Sequence, residues 1–303
     1  MTASRVPYTN RTDWLEKRRQ GIGASDIAAV MGLSPWSTPL QVWVSKTVDD
    51  VPEVEQSEDM KWGLRMESAI LDEFEQRHGQ PATDRGTLWR NTDRPWMLAT
   101  PDGMTYTNTD DGWLAVVDAK KTDSWSWDDG IPQQYLIQVQ WQMAVTGAPQ
   151  AYLVALHRGR RLEIYPITAD PELQQELIEA GEHFWTYVES ETPPAAVADD
   201  NAYMASLYPT AEERPVEISP EIVSELRQAK DTMKTAKARV DAAEVALKEA
   251  MADADTAVVG QEVVATWKNQ TRRSIDQKRL RVENPDIAAE YSVERSSRVL
   301  RVK

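Results

Sequence analysis

The sequence predicts a mixed α/β fold, with a central mixed sheet flanked by helices and then a C-terminal extension of one long helix and a small β element. Three observations predict it. Over the first ~190 residues helical and strand signals alternate rather than segregate, the pattern of a sheet covered by helices. At 303 residues the chain is long enough for two domains of ordinary size. A proline-marked stretch then gives way to a glycine-free run rich in Ala, Glu and Lys. The division read from this is a first domain over 1–195, a linker over 196–216, and a long helix plus a small basic region over 217–303.

Taken in order, Arg11 to Arg19 reads as a short helix with Asp13 near its start, broken by Gly21-Ile22-Gly23. Ala24 or Ser25 opens a second helix through Val30, which Gly32 closes. Thr38 to Lys46 is a third, with Pro39 in the first turn, where a missing N–H costs nothing. Asp49 to Asp59 is acidic with few apolar anchors and reads as a loop, and Met60 to His78 is a longer helix stopped by Gly79 and Pro81. Trp96 to Thr100 leads into a tight Pro101-Asp102-Gly103 turn and Met104 to Thr107 leads out; Trp113 to Lys120 pairs with it. Pro132 opens a helix to Thr146, closed by Gly147. Ala151 to Leu156 and Leu162 to Ile167 form a hairpin across Arg158-Gly159-Arg160, and Pro171 to Ser190 is the closing helix. Thr192-Pro193-Pro194 begins the linker, which Pro209 and Pro215 extend. Glu217 to Ala254 is a long solvated helix whose Ile222, Leu226, Met233, Val240 and Leu247 form a roughly heptad stripe. Ala257 to Lys268 reads as a strand and Gln277 to Val282 as a short helix in a basic tail.

Composition excludes several chemistries. Without cysteine there is no disulfide framework, thiolate zinc site, iron–sulfur cluster or cysteine nucleophile. Three histidines argue against a multi-histidine metal site. No apolar run approaches the ~18 residues of a membrane span, and Met1 to Arg11 lacks a signal peptide's apolar stretch, so a cytoplasmic protein is expected. The net charge of −15 argues against a surface coated for nucleic acid, but a basic channel can hide inside an acidic total. Two stretches are locally basic: Lys17-Arg18-Arg19, and Lys268 to Lys303, with ten Lys/Arg against five Asp/Glu.

The most informative segment for chemistry is Ala115-Val116-Val117-Asp118-Ala119-Lys120. In a strand, alternate residues share a face, so Asp118 and Lys120 point the same way from an otherwise apolar strand. An acid and a lysine placed there are costly unless paired or functional. A carboxylate can hold a divalent cation, and the ammonium can orient or help deprotonate an attacking water and offset transition-state charge; the plainer alternative is a strand-end ion pair. Asp102 sits in a turn that Asp suits structurally, yet a hairpin of this length can bring it beside Asp118. Two close carboxylates call for a cation, and hard oxygen ligands select Mg²⁺ or Mn²⁺. Glu67, with helical neighbours Leu64, Ile70 and Leu71, is either a third ligand or an exposed residue at the edge of an amphipathic face. Gln134, Gln138 and Gln142 stack at i, i+4 and i+8, either an exposed polar face or amides for phosphate and sugar oxygens. Arg18 with Gly23-Ala24-Ser25-Asp26 could seat a phosphate, unless Ser25 is only a helix cap.

Jointly these segments occur in the order of a known family. The chain resembles the YqaJ-type phage recombinases, relatives of lambda exonuclease within the PD-(D/E)xK nucleases. The resemblance rests on Arg18 with Gly21-Ile22-Gly23-Ala24-Ser25-Asp26, Trp62-Gly63 with Glu67, Thr100-Pro101-Asp102-Gly103, Asp118-Ala119-Lys120, and Gln138-Val139-Gln140 followed by Met143 and Val145-Thr146-Gly147. Ile131-Pro132 before Tyr135, and Phe184-Trp185 before Pro193-Pro194, look like the family too, so it covers about residues 11 to 195. It implies a restriction-endonuclease-like core and an Mg²⁺-dependent exonuclease, with Mn²⁺ able to substitute. Such an enzyme degrades one strand of double-stranded DNA from the 5′ end and leaves a 3′ tail for a single-strand annealing protein. By motif position, Asp102, Asp118 and the Ala119 carbonyl look like metal ligands and Glu67 like the helix acid. Lys120 looks like the catalytic lysine, and Arg18, Ser25, Thr100 and Gln138 like the 5′-phosphate pocket. The resemblance also implies a homo-oligomer, a ring trimer in lambda exonuclease, in a phage or prophage setting.

Two departures stand out. Asp118 replaces the usual glutamate and is one methylene shorter, and residues 216–303 lie outside the resemblance to lambda exonuclease. Three other readings compete: a structure-specific or nicking endonuclease, a non-catalytic scaffold that binds DNA ends, and an interaction module centred on the 217–254 helix.

Overall fold

The computed structural model describes residues 3–48, 57–106, 113–123, 127, 130–208, 210–293 and 298–302. Most of the expected acidic loop (49–56) and Thr107 lie outside the described residues. The chain divides into two compact units, Met1–Tyr208 and Pro209–Lys303.

The first unit opens with strand β1 (Ala3–Val6) and helices α1 (Arg11–Arg19), α2 (Ala24–Val30) and α3 (Pro39–Thr47). Their starts are set by capping: Asn10 accepts from the Asp13 N–H, and Thr38 from the Gln41 N–H. Helix α4 (Glu58–His78) starts two residues earlier than expected because Ser57 accepts the Met60 N–H, and Gly79 ends it in a left-handed conformation. Strands β2 (Leu88–Asn91), β3 (Leu98–Ala99), β4 (Gly103–Tyr106) and β5 (Trp113–Thr122) follow. Next come α5 (Gln133–Thr146), β6 (Gln150–His157), β7 (Arg161–Thr168) and α6 (Pro171–Glu189). After a short 3₁₀ turn at Ala198–Asp200, α7 (Asn201–Leu207) ends the unit.

The sheet is mixed, as expected. β5 pairs antiparallel with β4 and parallel with β6, and β6 pairs antiparallel with β7, giving the order β4-β5-β6-β7. A parallel pair needs a crossover, and α5 supplies it between β5 and β6. A smaller antiparallel sheet, β1-β2-β3, adjoins; the sequence did not announce β1 or β2, each only four residues long. The two faces of β5 meet different helices. Val116 packs with Val139 and Met143 of α5, whereas Ala115 and Val117 pack with Ile70, Leu71 and Phe74 of α4. A third cluster gathers α2, α3, α5 and α6 around Trp43, Trp89 and Trp141. Tryptophan here does more than fill space, because the buried indole N–H of Trp141 donates to the Leu98 carbonyl at 3.0 Å and that of Trp43 to the Tyr187 carbonyl at 2.9 Å.

The segment read as linker is partly structured. Asp200 is buried, and its carboxylate accepts from the Thr38 hydroxyl and, at 3.3 Å, from the Gln41 amide. Tyr203 and Leu207 pack against the first unit's core. The Val197 N–H donates to the Asp200 carboxylate as well, at 2.8 Å, and a buried carboxylate with three donors is what prolines on either side could not signal.

In the second unit, α8 (Pro220–Met251) is capped by Ser219. The run read as one strand is a hairpin, β8 (Thr256–Val259) and β9 (Glu262–Thr266), turned by Gly260 at φ +64°. α9 (Gln277–Glu283) and α10 (Pro285–Glu290) follow. Among the described residues no helix is long and apolar enough to cross a membrane.

Candidate active site

The site is assembled at the turn into β4 and along β5. The register pairs Gly103 with Val117, so the preceding Asp102 stands beside Asp118. The Asp102 carboxylate accepts the Ala119 N–H at 2.7 Å. Asp118 is buried at 1 % exposure. Its Oδ1 accepts from the amides of Gln138 (2.9 Å) and Gln142 (2.8 Å), and the Lys120 ammonium lies against its Oδ2. The face of β5 that carries Asp118 and Lys120 thus looks onto α5, whose i, i+4 spacing delivers two amides to one oxygen. These glutamines are not an exposed polar face. Gln142 is fully buried, and Gln140, on the other side of α5, is buried too and bonds the Thr168 carbonyl and the Asp170 N–H.

Glu67 approaches from α4 and is half-buried. Burial and the Asp118 charge push its carboxyl above the usual range, against the pull of Lys120 and Arg85. Asp102 is pushed well above its ordinary value by burial and then by Asp118, with Glu67 adding to the effect. For Lys120, burial favours the neutral amine, but Asp118 and Asp102 more than offset it and hold the ammonium above its ordinary pKa. The group is therefore three mutually repelling carboxyls with one lysine among them. Among the described residues no three His, Asp or Glu side chains converge as a ready-made metal-ligand cluster. The donors are nonetheless all hard oxygens. Lys120 is the one charged partner at Asp118 Oδ2, which keeps a lone pair.

A cleft of about 430 Å³ adjoins this cluster, and its wall includes Arg18, Ser25, Glu67, Thr100, Asp102 and Gln138. Asp118, Ala119 and Lys120 do not line it; Asp118 and Ala119 stand behind Gln138 and Asp102 and are hydrogen-bonded to them. The Arg18 guanidinium donates to the Ser25 hydroxyl at 2.7 Å and pairs with Asp26 at 2.8 Å, with Trp14 beneath it at 5.0 Å. Asp26 is in turn held by the Gly23 N–H at 3.0 Å and by Lys46 at 2.7 Å. Burial pushes the Asp26 carboxyl up, but the charges of Arg18 and Lys46 prevail and hold it far below the carboxylate range. A Cβ on Gly23 would lie 3.0 Å from the Arg18 guanidinium and would crowd it. Sequence reasoning missed Lys46 and the anchoring role of Gln142. Lys46 sits twenty residues from Asp26 on another helix, and nothing local links them.

All nine residues expected at the site fall within one stretch of known type. The family model of the YqaJ-like viral recombinase domain matches residues 13–149. Residues 13–149 are thus similar to a YqaJ-like viral recombinase domain. The chain is also 28% identical over 291 residues, 92% of this chain and 89% of the relative, to the uncharacterized protein YqaJ of Bacillus subtilis (strain 168), a likeness that reaches into the second unit. Among solved structures, the alkaline exonuclease LHK-Exo from Laribacter hongkongensis superposes with a TM-score of 0.50 at 19% identity, covering 65% of this chain and 99% of its own. LHK-Exo in complex with dAMP gives a TM-score of 0.50 at 18% identity, covering 65% of this chain and 98% of its own. At these identities the likeness establishes the fold alone: the mixed sheet and flanking helices are shared with LHK-Exo.

Proposed function

We propose that this chain is an Mg²⁺-dependent exonuclease that degrades one strand of linear double-stranded DNA from the 5′ end, leaving 3′ tails for phage-type recombination. The observation that carries the reading is the joining of two parts. A carboxylate–lysine cluster, Asp102, Asp118 and Lys120, backs directly onto a cleft that presents Arg18, Ser25, Thr100 and Gln138. The first part suits phosphodiester hydrolysis and the second suits a terminal phosphate.

Asp102, Asp118, Glu67 and the Ala119 carbonyl would hold the cation, since hard oxygens suit Mg²⁺, with Mn²⁺ an acceptable substitute. A cation bound there supplies positive charge to the scissile phosphate and makes a coordinated water more acidic. Burial and then mutual repulsion raise Asp102 and Glu67, and positive charge between them would relieve the repulsion. Lys120, kept as an ammonium, orients the attacking water and offsets charge developing on the phosphate. Gln138 and Gln142 hold the Asp118 carboxylate in one orientation. Arg18, fixed by Asp26 and Trp14, offers its guanidinium to the 5′ phosphate, and Ser25 and Thr100 add hydroxyl donors. Reading a phosphate rather than a base gives polarity without sequence preference. The implied partners are DNA ends, a single-strand annealing protein and further copies of the chain.

The test is digestion of a linear duplex with Mg²⁺ and with EDTA, beside a closed circle. Loss of the linear DNA in Mg²⁺ alone, with the circle intact, is the expected result. A cut circle replaces the reading with an endonuclease. Binding to ends with no cleavage in either Mg²⁺ or Mn²⁺ replaces it with a scaffold.

A further inference from the structure

The second unit contains a surface that nothing in the first explains. Helix α8 runs for 32 residues, and none of its residues belongs to any of the three described core clusters. Yet its apolar residues are ordered. Leu226, Met233, Val240 and Leu247 recur every seven residues, and between them alanines recur with the same period from Ala229 to Ala250. Ile222 extends the row by one more step. Alternating spacings of three and four over four heptads are the a and d positions of a coiled-coil seam. The row faces solvent: Ile222 is 64%, Met233 67% and Val240 56% exposed. A single long helix does not hold such a stripe in water without a partner.

Charge on the flanks selects the partner. With Leu226 at a, the g positions hold Glu225 and Arg239 and the following e positions hold Lys230 and Glu244. In a parallel, in-register pair of identical helices, each g side chain meets the e side chain five residues on in the other copy. Glu225 then meets Lys230 and Arg239 meets Glu244, twice each, with no like charges opposed. The remaining g and e positions are Thr232 with Lys237 and Ala246 with Met251, neither repulsive. The antiparallel arrangement instead opposes Lys237 to itself and Arg239 to itself. Glu244 already pairs with Lys248 on its own helix at 2.9 Å through Oε2, which leaves Oε1 for a partner. We propose that α8 is a dimerisation element, forming a parallel two-stranded coiled coil with the α8 of a second copy of this chain.

Cross-linking in the full-length protein tests this, helped by the absence of any native cysteine. Ala229→Cys, at a seam position far from the helix centre, meets its own copy only in the parallel register. It is expected to form a covalent dimer under mild oxidation, while Asp231→Cys, on the outer face, is not. On the Ala229→Cys background, Glu225→Lys with Arg239→Glu, or Lys230→Glu with Glu244→Lys, makes both charged g–e pairs repulsive and is expected to cut the covalent dimer at least about tenfold. An equal mixture of these two self-repelling proteins is expected to restore it as a heterodimer, which also shows that both are folded. Failure of Ala229→Cys to cross-link, equal cross-linking of Asp231→Cys, or no rescue in the mixture would overturn the proposal.

Discussion

Asp118 carries the most consequence of any single residue in the site. A carboxylate at 1 % exposure must be satisfied, and three side chains satisfy it: Gln138, Gln142 and Lys120. Two of these partners hold its geometry; the third carries the charge that the proposed reaction needs. Lys120→Ala is therefore expected to leave DNA-end binding in place and to lower cleavage by at least about a hundredfold, the scale of losing one preorganised charged group. Filter binding and a cleavage assay on the same preparation check this, and near-normal cleavage removes Lys120 from its role. Asp26 supports a second prediction. Its folded-state pKa lies below the unfolded value because Arg18 and Lys46 prevail over burial. A depressed carboxyl contributes stability that is complete above the ordinary aspartate pKa and is lost as pH falls below it. Wild-type unfolding free energy should thus drop as pH falls below about 4. Denaturant melts of Asp26→Asn should show a shallower drop over the same range and a lower stability at neutral pH, by roughly 1.5–3 kcal/mol for losing charge-assisted hydrogen bonds in a partly buried cluster.

Among the elements, what could be read in advance was whatever carries its own punctuation. α1, α2 and α6 announce themselves through Asp13, Gly32 and Pro171, and the entry into β4 through Pro101-Asp102-Gly103. The adjacency of Asp102 and Asp118 was legible because a hairpin of this length can bring the two together, and the Gly103–Val117 register does so. β1 and β2 were not legible because strands of four residues show too little alternation, and the pairing between them spans some eighty residues. Nor could spacing show that Gln142 is buried: a period of four places three amides on one face without saying whether the face meets water or a carboxylate. The Gly21-Ile22-Gly23 segment illustrates the tertiary side. Ile22 bridges Met97, its N–H reaching the Trp96 carbonyl at 2.7 Å, and a Cβ on Gly21 would lie 2.4 Å from that carbonyl oxygen. Backbone cannot move aside as a side chain can. Gly21→Ala is expected to cost about 1–3 kcal/mol and to displace the segment that seats Arg18. A lowered unfolding midpoint together with weakened binding to phosphorylated ends would be seen; unchanged melting would mean that the bridge is dispensable.

For the whole molecule, the two proposals place separate tasks on the two sides of Tyr208. Every residue of the proposed active site, and the buried Asp200 contact with Thr38, lies in the first unit. The second unit contributes a long helix, a hairpin and a basic tail in a chain whose net charge is −15. A fragment ending at Tyr208 is expected to fold and to retain end-dependent cleavage while losing association through α8. Sedimentation of the fragment beside the full chain, with a cleavage assay on both, separates the two tasks. A fragment that folds yet cleaves nothing would place part of the catalytic apparatus beyond Tyr208.

The central claim is that a terminal phosphate held by Arg18 feeds one strand into the Asp102–Asp118–Lys120 cluster. The most direct measurement is strand-resolved digestion of a linear duplex in Mg²⁺, labelled at either end and carrying 5′ phosphate or 5′ hydroxyl. The account predicts loss that begins at phosphorylated 5′ ends, slows at hydroxyl ends and leaves the 3′-terminated strand intact. Digestion from 3′ ends, or equal rates from the two kinds of 5′ end, would contradict it.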